Sequence, residues 1–154
     1  MDAGSGEEGK MTIERQTKIN IRKSIKRIRE ANLNTTAVLV ACCYIDGLAQ
    51  KLHLGKYETG FRSYIRQYMP KTFDLLRERS KSLEQKDDFC LHALWDQVRC
   101  GLVHEIDPKS RTVIVGRGKT SVHLNTNDER YRGKDLVLCS AKFVDDFMRS
   151  IDNI

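Results

Sequence analysis

The stretch from Asn32 to Gly55, NLNTTAVLVACCYIDGLAQKLHLG, constrains the fold most, because from Ala37 to Leu52 it is apolar on nearly every side of a helix. Such a helix is buried from several directions and must be central to a bundle. Asn and Thr ahead of the run suit the N-cap, and Gly55 suits the C-cap. The only acid inside the run is Asp46. A buried carboxylate is costly unless a cation or several donors meet it, so Asp46 needs a partner. That partner either orients a neighbouring helix through a buried ion pair or belongs to a functional site.

The flanking segments supply the other helices. From about Met11 to Glu30, Ile21, Ile25 and Ile28 recur at helical spacing among many Lys and Arg residues, which predicts a basic amphipathic helix. Its Arg22, Lys23, Lys26 and Arg27 are candidate nucleic-acid contacts, and they equally suit a solvated charged face. The net charge of +6 permits an anionic partner. Residues 1–10 are Gly, Ser and acidic and read as a disordered arm. YETGFRSYIRQYMP places Phe61, Tyr64, Ile65 and Tyr68 on one stripe that Pro70 ends. FDLLRERSKSLEQKDD reads as a helical turn or two followed by a polar loop. A further helix from about Asp87 to Val103 turns Leu91, Leu94, Trp95, Val98 and Leu102 inward.

After DPKS the period changes. RTVIVGRGKTSVHLN reads as two short strands in a hairpin around GRGK, and from about Ser140 Phe143, Phe147 and Ile151 mark a terminal helix. The expectation is therefore a mainly α, single domain over residues 11–154. An antiparallel helical bundle would occupy about 11–106, with a small C-terminal β-hairpin and terminal helix in about 107–154. No apolar run reaches the twenty or so residues of a membrane span, and MDAGSGEEGK lacks a signal-peptide core, so no membrane association and a cytoplasmic location are expected. Cys42, Cys43, Cys90, Cys100 and Cys139 show no paired CxxC spacing and read as buried free thiols.

RCGLVHE, Arg99 to Glu105, carries the chemistry. On a regular helix a five-residue offset turns two side chains by about 140° from each other, so Arg99 and His104 share a site only if the helix ends or bends nearby. Gly101 and Pro108 favour that. Near a helix C-terminus the macrodipole would favour a protonated His104, with titration near neutral pH. Arg99 offers a planar fork to phosphate oxygens, and His104 could move a proton to or from a ribose hydroxyl or leaving oxygen. Such a pair suits cleavage of an RNA phosphodiester without metal. On the same helix His92, Asp96 and Arg99 stack at spacings of four and three, either lining the site or forming an exposed Asp96–Arg99 ion pair. Cys100 and His104 are too few for zinc, so neither metal nor cofactor is expected. VGRGKT lacks the first glycine of a phosphate-binding loop and no helix follows it.

An Arg and His pair at the end of a long helix resembles the Arg-x4–6-His signature of the HEPN superfamily, the higher-eukaryote and prokaryote nucleotide-binding domains. The order of segments agrees, with ACCYIDGLAQ carrying an acid, then FRSYIRQYMP, then the helix of Arg99 and His104, as in small bacterial members. The resemblance spans roughly residues 11–106. It implies a HEPN-like helical bundle that forms a homodimer, with the Arg and His of both protomers facing a shared cleft. In catalytic members the pair cleaves RNA without metal, which would make Arg99 the phosphate-holding group and His104 the general acid or base. Burial chemistry, apart from the resemblance, suggests that Asp46 orients Arg99 from the facing helix, and His92, Asp96 and Cys100 are supporting candidates by their place on the same helix. Active members often carry Asn after the arginine, where this chain has Cys100. Other members are RNA-binding or assembly modules, so the expected partners are RNA, or a protein such as an antitoxin or a bound nucleotide in a non-catalytic interaction module. A helix-turn-helix DNA binder is disfavoured, because no short turn leads into an exposed base-reading helix.

Overall fold

The computed structural model describes residues 12–104, 108–109 and 111–154. The arm expected over residues 1–10 therefore lies outside the described residues. Around the central α2 (Asn34–Lys51) pack α1 (Arg15–Glu30), α3 (Tyr57–Tyr68) and α7 (Ser140–Ile151). Helix α4 (Pro70–Ser82) leads to α5 (Phe89–Ala93), which continues through a π-helical segment, Leu94–Cys100, into α6 (Gly101–His104). The mainly helical architecture agrees with the sequence pattern.

Seven residues of α2 are buried, from Ala37 and Val38 to Leu48 and Ala49. Its burial is nonetheless incomplete. Thr36, Cys43, Gly47 and Gln50 are exposed, so one stripe stays open and Cys43 is not the buried thiol the apolar pattern suggests. Cys100 is half-buried, whereas Cys42, Cys90 and Cys139 are buried. Helix α7 belongs to the same core. Its Phe147 ring stacks on Tyr44 of α2 with centroids 6.4 Å apart and also meets Tyr64 of α3, whose hydroxyl lies 2.7 Å from Ser150 Oγ.

Three helices end on a left-handed residue that is not glycine: Asn32 (φ 57°), His53 (φ 56°) and Glu84 (φ 56°). In each, the next amide reaches back five residues, Leu33 to Ile28, Leu54 to Ala49 and Gln85 to Ser80, satisfying carbonyls that the helix end would orphan. His53, rather than Gly55, thus terminates α2. Gly55 serves a different purpose: its carbonyl is met so closely by Gly60 of α3 that a Cβ there would lie 2.3 Å from the oxygen. Pro70 both ends α3 and opens α4 at a first-turn position, where its missing N–H costs nothing. Helix α4 continues for thirteen residues, further than the expected turn or two. Its Leu76, Arg79 and Ser80 are buried, and Arg79 donates to the Asp135 and Lys134 carbonyls, so packing stabilises a helix whose polar sequence hid it.

The expected hairpin is replaced by a parallel pair. Strand β1 (Thr112–Val115) runs alongside β2 (Leu136–Cys139), with Thr112 opposite Leu136 and Val115 opposite Cys139. The residues after the GRGK turn cross to the other side of β2, where Val122 bridges Leu138 in antiparallel fashion and Cys139 donates to the Ser121 carbonyl at 2.8 Å. The physical reason lies in β2. All four of its residues are buried, so it behaves as a central strand that needs backbone partners on both edges. A two-stranded hairpin would have left it without one.

Gly60→Ala would force a methyl into the Gly55 backbone, which cannot yield as a flexible side chain would. Urea denaturation of that variant is expected to show a loss of about 1–3 kcal/mol, the range for overpacking at a close contact.

Candidate functional site

The site grows from two helical faces. Asp46 projects from α2 toward the π segment, where Arg99 Nε donates to Asp46 Oδ2 at 2.8 Å and Arg99 Nη2 lies 2.8 Å from the same oxygen. The two side chains retain only 20% and 16% of their exposure. The guanidinium also lies over the Trp95 ring, 4.5 Å from its centroid, and Trp95 in turn packs on Phe61 at 5.3 Å. Nη1 donates to the Cys100 thiol at 3.8 Å. Arg99 is thus held on an aromatic face by an acid from the facing helix. The partner that burial chemistry demands for Asp46 is this arginine.

The backbone explains how Arg99 reaches α2. In a π segment each hydrogen-bonded ring spans one residue more than in an α-helix, which widens the turn and shifts the phase of the residues that follow. The expected bend therefore comes from Leu94–Cys100 rather than from Gly101, which is regularly helical at φ −58° and ψ −50°. The wider turn also breaks the anticipated His92, Asp96 and Arg99 stripe, which presumed a regular helical period. His92 Nδ1 lies 2.5 Å from Glu58 Oε1 on α3, Asp96 takes Lys109 Nζ at 3.0 Å, and Arg99 turns to Asp46. Three residues read as one stripe serve three separate attachments, and Asp96 does not pair with Arg99. The Lys109 amide and the Thr112 hydroxyl bind Gln97, so the chain after α6 returns along the π segment on its way into β1.

His104 is the last residue of α6. Its side chain, and Glu105 beside it, lie outside the described residues. Leu102 is buried and Val103 is 40% exposed, so the turn within RCGLVHE has one side in the core and one open.

Burial raises the Asp46 carboxyl above its ordinary range, while the Arg99 hydrogen bond and charge pull it back. Desolvation works against the Arg99 charge, but hydrogen bonding and attraction to Asp46 outweigh it and hold the guanidinium protonated. Oδ1 of Asp46 is buried and has no hydrogen-bond partner among the described residues. Burial and the neighbouring Asp46 charge also raise the Cys42 and Cys43 thiols, which makes both poor thiolate nucleophiles. Among the described residues no group of His, Cys, Asp and Glu side chains is arranged to hold a metal ion.

The basic face of α1 is partly committed to packing. Arg22 pairs with Asp152, Arg29 binds Asp145 at 2.7 Å and the Ala141 carbonyl at 2.8 Å, and Lys18 donates to the Ile154 carbonyl. Lys23, Lys26 and Arg27 are exposed, with Lys26 3.8 Å from Glu30. The four candidate nucleic-acid residues therefore divide into one that clamps α7 and three on an open face. Sequence reasoning missed Trp95 as the platform for Arg99, although its place four residues earlier is the available signal. No helix among the described residues is long and apolar enough to cross a membrane. No family model, curated protein or solved structure matches the chain.

The ion pair sets a pH-dependent test. Removing Arg99 strands the Asp46 carboxylate, and its folded-state pKa then rises further above the unfolded value. A raised carboxyl pKa means that the folded form binds the proton more tightly, so stability is retained at acid pH and lost as pH rises through that pKa. Chemical denaturation of Arg99→Ala is expected to show a loss of about 2–4 kcal/mol at pH 7, at or below the usual range for a fully buried broken pair. The loss should shrink at pH 4. A loss that is equal at both pH values would mean that Asp46 is not the group stranded.

Proposed function

We propose that the chain is a HEPN-like RNA-binding protein in which Arg99 and His104 form a metal-independent endoribonuclease centre at the cleft of a homodimer. The observation that carries this reading is the presentation of Arg99. A carboxylate from α2 and the Trp95 ring fix the guanidinium near the end of a phase-shifting π segment, which runs directly into the helical turn that ends at His104. Preorganised cations suit catalysis because a group already held in place need not reorganise when charge develops on a phosphate. In this reading Arg99 meets a non-bridging phosphate oxygen. His104 takes the proton from the ribose 2′-hydroxyl or returns one to the leaving 5′-oxygen. Exposed Lys23, Lys26 and Arg27 on α1 would add phosphate contacts that weaken with salt.

A second reading is favoured by one specific observation. Arg99 directs Nε and Nη2 to Asp46 and Nη1 to Cys100, and these bonds would have to be shared or exchanged before the fork could grip a phosphate. If they persist, the motif is architectural, and the protein is a non-catalytic dimeric module for a protein partner, such as an antitoxin, or a nucleotide.

Incubating the wild-type protein and His104→Ala with a mixed RNA pool in EDTA, then analysing product ends, separates the two. The nuclease reading expects cleavage by wild type alone, leaving 2′,3′-cyclic phosphate ends, with a fall of about 100-fold or more in His104→Ala at an unchanged melting temperature. Intact RNA with both proteins would leave the module as the function.

A further inference from the structure

On the opposite flank of α7, Lys71 from the first turn of α4, Lys119 from the GRGK loop and Lys142 from the start of α7 line one cleft of about 250 Å³. All three are exposed, and none has an ion-pair or hydrogen-bond partner among the described residues. The acids on the same wall are already engaged. Asp145 holds Arg29 at 2.7 Å, while Asp146 accepts from Thr72 at 2.7 Å and pairs with Arg149. Three uncompensated ammonium groups converging on one concavity raise its positive potential and attract anions.

The loop that brings in Lys119 is fixed from beneath. Gly118 rests closely on the His123 ring, where a Cβ would lie 2.6 Å from Nε2, so any larger residue would have to displace that ring. The Gly116 carbonyl accepts from Ser140 Oγ at 3.4 Å and Cys139 Sγ at 3.7 Å, which ties the loop to the start of α7. Ser121 Oγ and Thr72 Oγ1, 2.9 Å apart, join the loop to α4. Lysine is a point-charge phosphate binder that needs no bidentate geometry. Among the described residues no aromatic ring lines the cleft, so none of them would stack on a base there.

We propose that this cleft is a binding site for an oligophosphate group, gripped by Lys71, Lys119 and Lys142 and independent of Arg99 and His104. The shared chemistry is a run of linked phosphates, whether an inorganic chain or the phosphate end of a nucleotide or RNA. Its local charge density distinguishes it from a phosphodiester backbone with one charge per nucleotide.

Isothermal titration with inorganic tripolyphosphate, on wild type and on Lys119→Gln/Lys142→Gln, tests the proposal. Neither lysine has a partner among the described residues, so the double variant should melt with wild type. Wild type is expected to bind with an affinity that falls as salt rises, and the double variant to bind at least about tenfold more weakly. Competition then identifies the source. ATP and 5′-triphosphorylated RNA that displace tripolyphosphate would place the group on a nucleotide or an RNA end, whereas their failure would leave an inorganic chain as the ligand. Absence of tripolyphosphate binding, unchanged binding by the double variant, or equal competition by a 5′-hydroxyl RNA of the same sequence would each overturn the proposal.

Discussion

A carboxylate placed on a helix that is otherwise apolar sets the terms for much of this molecule. Asp46 cannot leave α2, and α2 cannot leave the core, because Ile45 and Leu48 beside it are buried. A cation must therefore come to it. The chain supplies one by widening the long helix after Ala93, so that Arg99 meets Asp46 while Leu94 and Val98 stay in the core. Desolvation and attraction nearly oppose each other in such a pair. Its contribution is then less to net stability than to holding one relative placement of two helices, with Trp95 supporting the guanidinium from below.

The parts of the fold that follow from burial were legible in the sequence. Ile21 and Ile25 on α1, Phe61 and Tyr64 on α3, and Phe143, Phe147 and Ile151 on α7 repeat at helical spacing, and all are buried. The need of Asp46 for a cation was equally readable, since it depends only on the cost of an unpaired buried charge. Features set by backbone register were not. A π segment has no residue signature comparable to a proline or a capping box, so the three polar residues His92, Asp96 and Arg99 were projected onto one stripe that the widened turn separates. The GRGK glycines announced a turn correctly, but a turn does not say which strand lies beside which. That was decided by β2, whose four buried residues required partners on both edges. Helix α4 was hidden because its buried contacts are polar: Arg79 binds carbonyls of a segment more than fifty residues away, which no local pattern discloses.

Positive charge is distributed between two uses. On α1, Arg22 and Arg29 reach acids on or next to α7 and dock one helix to another. Across α7, lysines on three separate elements have no partner among the described residues and share a concavity. Net charge alone cannot distinguish these cases. The distinction is whether a carboxylate stands within reach, and α7 offers Asp145 and Asp146 to arginines while leaving the lysines uncompensated.

The π segment also bears on how such a chain can change over generations. Its longer hydrogen-bonded rings make it equivalent to one extra residue threaded into a helix. Deleting a single residue between Leu94 and Cys100 would let ordinary helical bonding resume, yet would turn everything beyond it by about 100°. Arg99 and the turn ending at His104 would lose their setting together, without either being substituted. Insertions and deletions in this short span are therefore more disruptive than most point substitutions there, and related chains should preserve its length more strictly than its side chains.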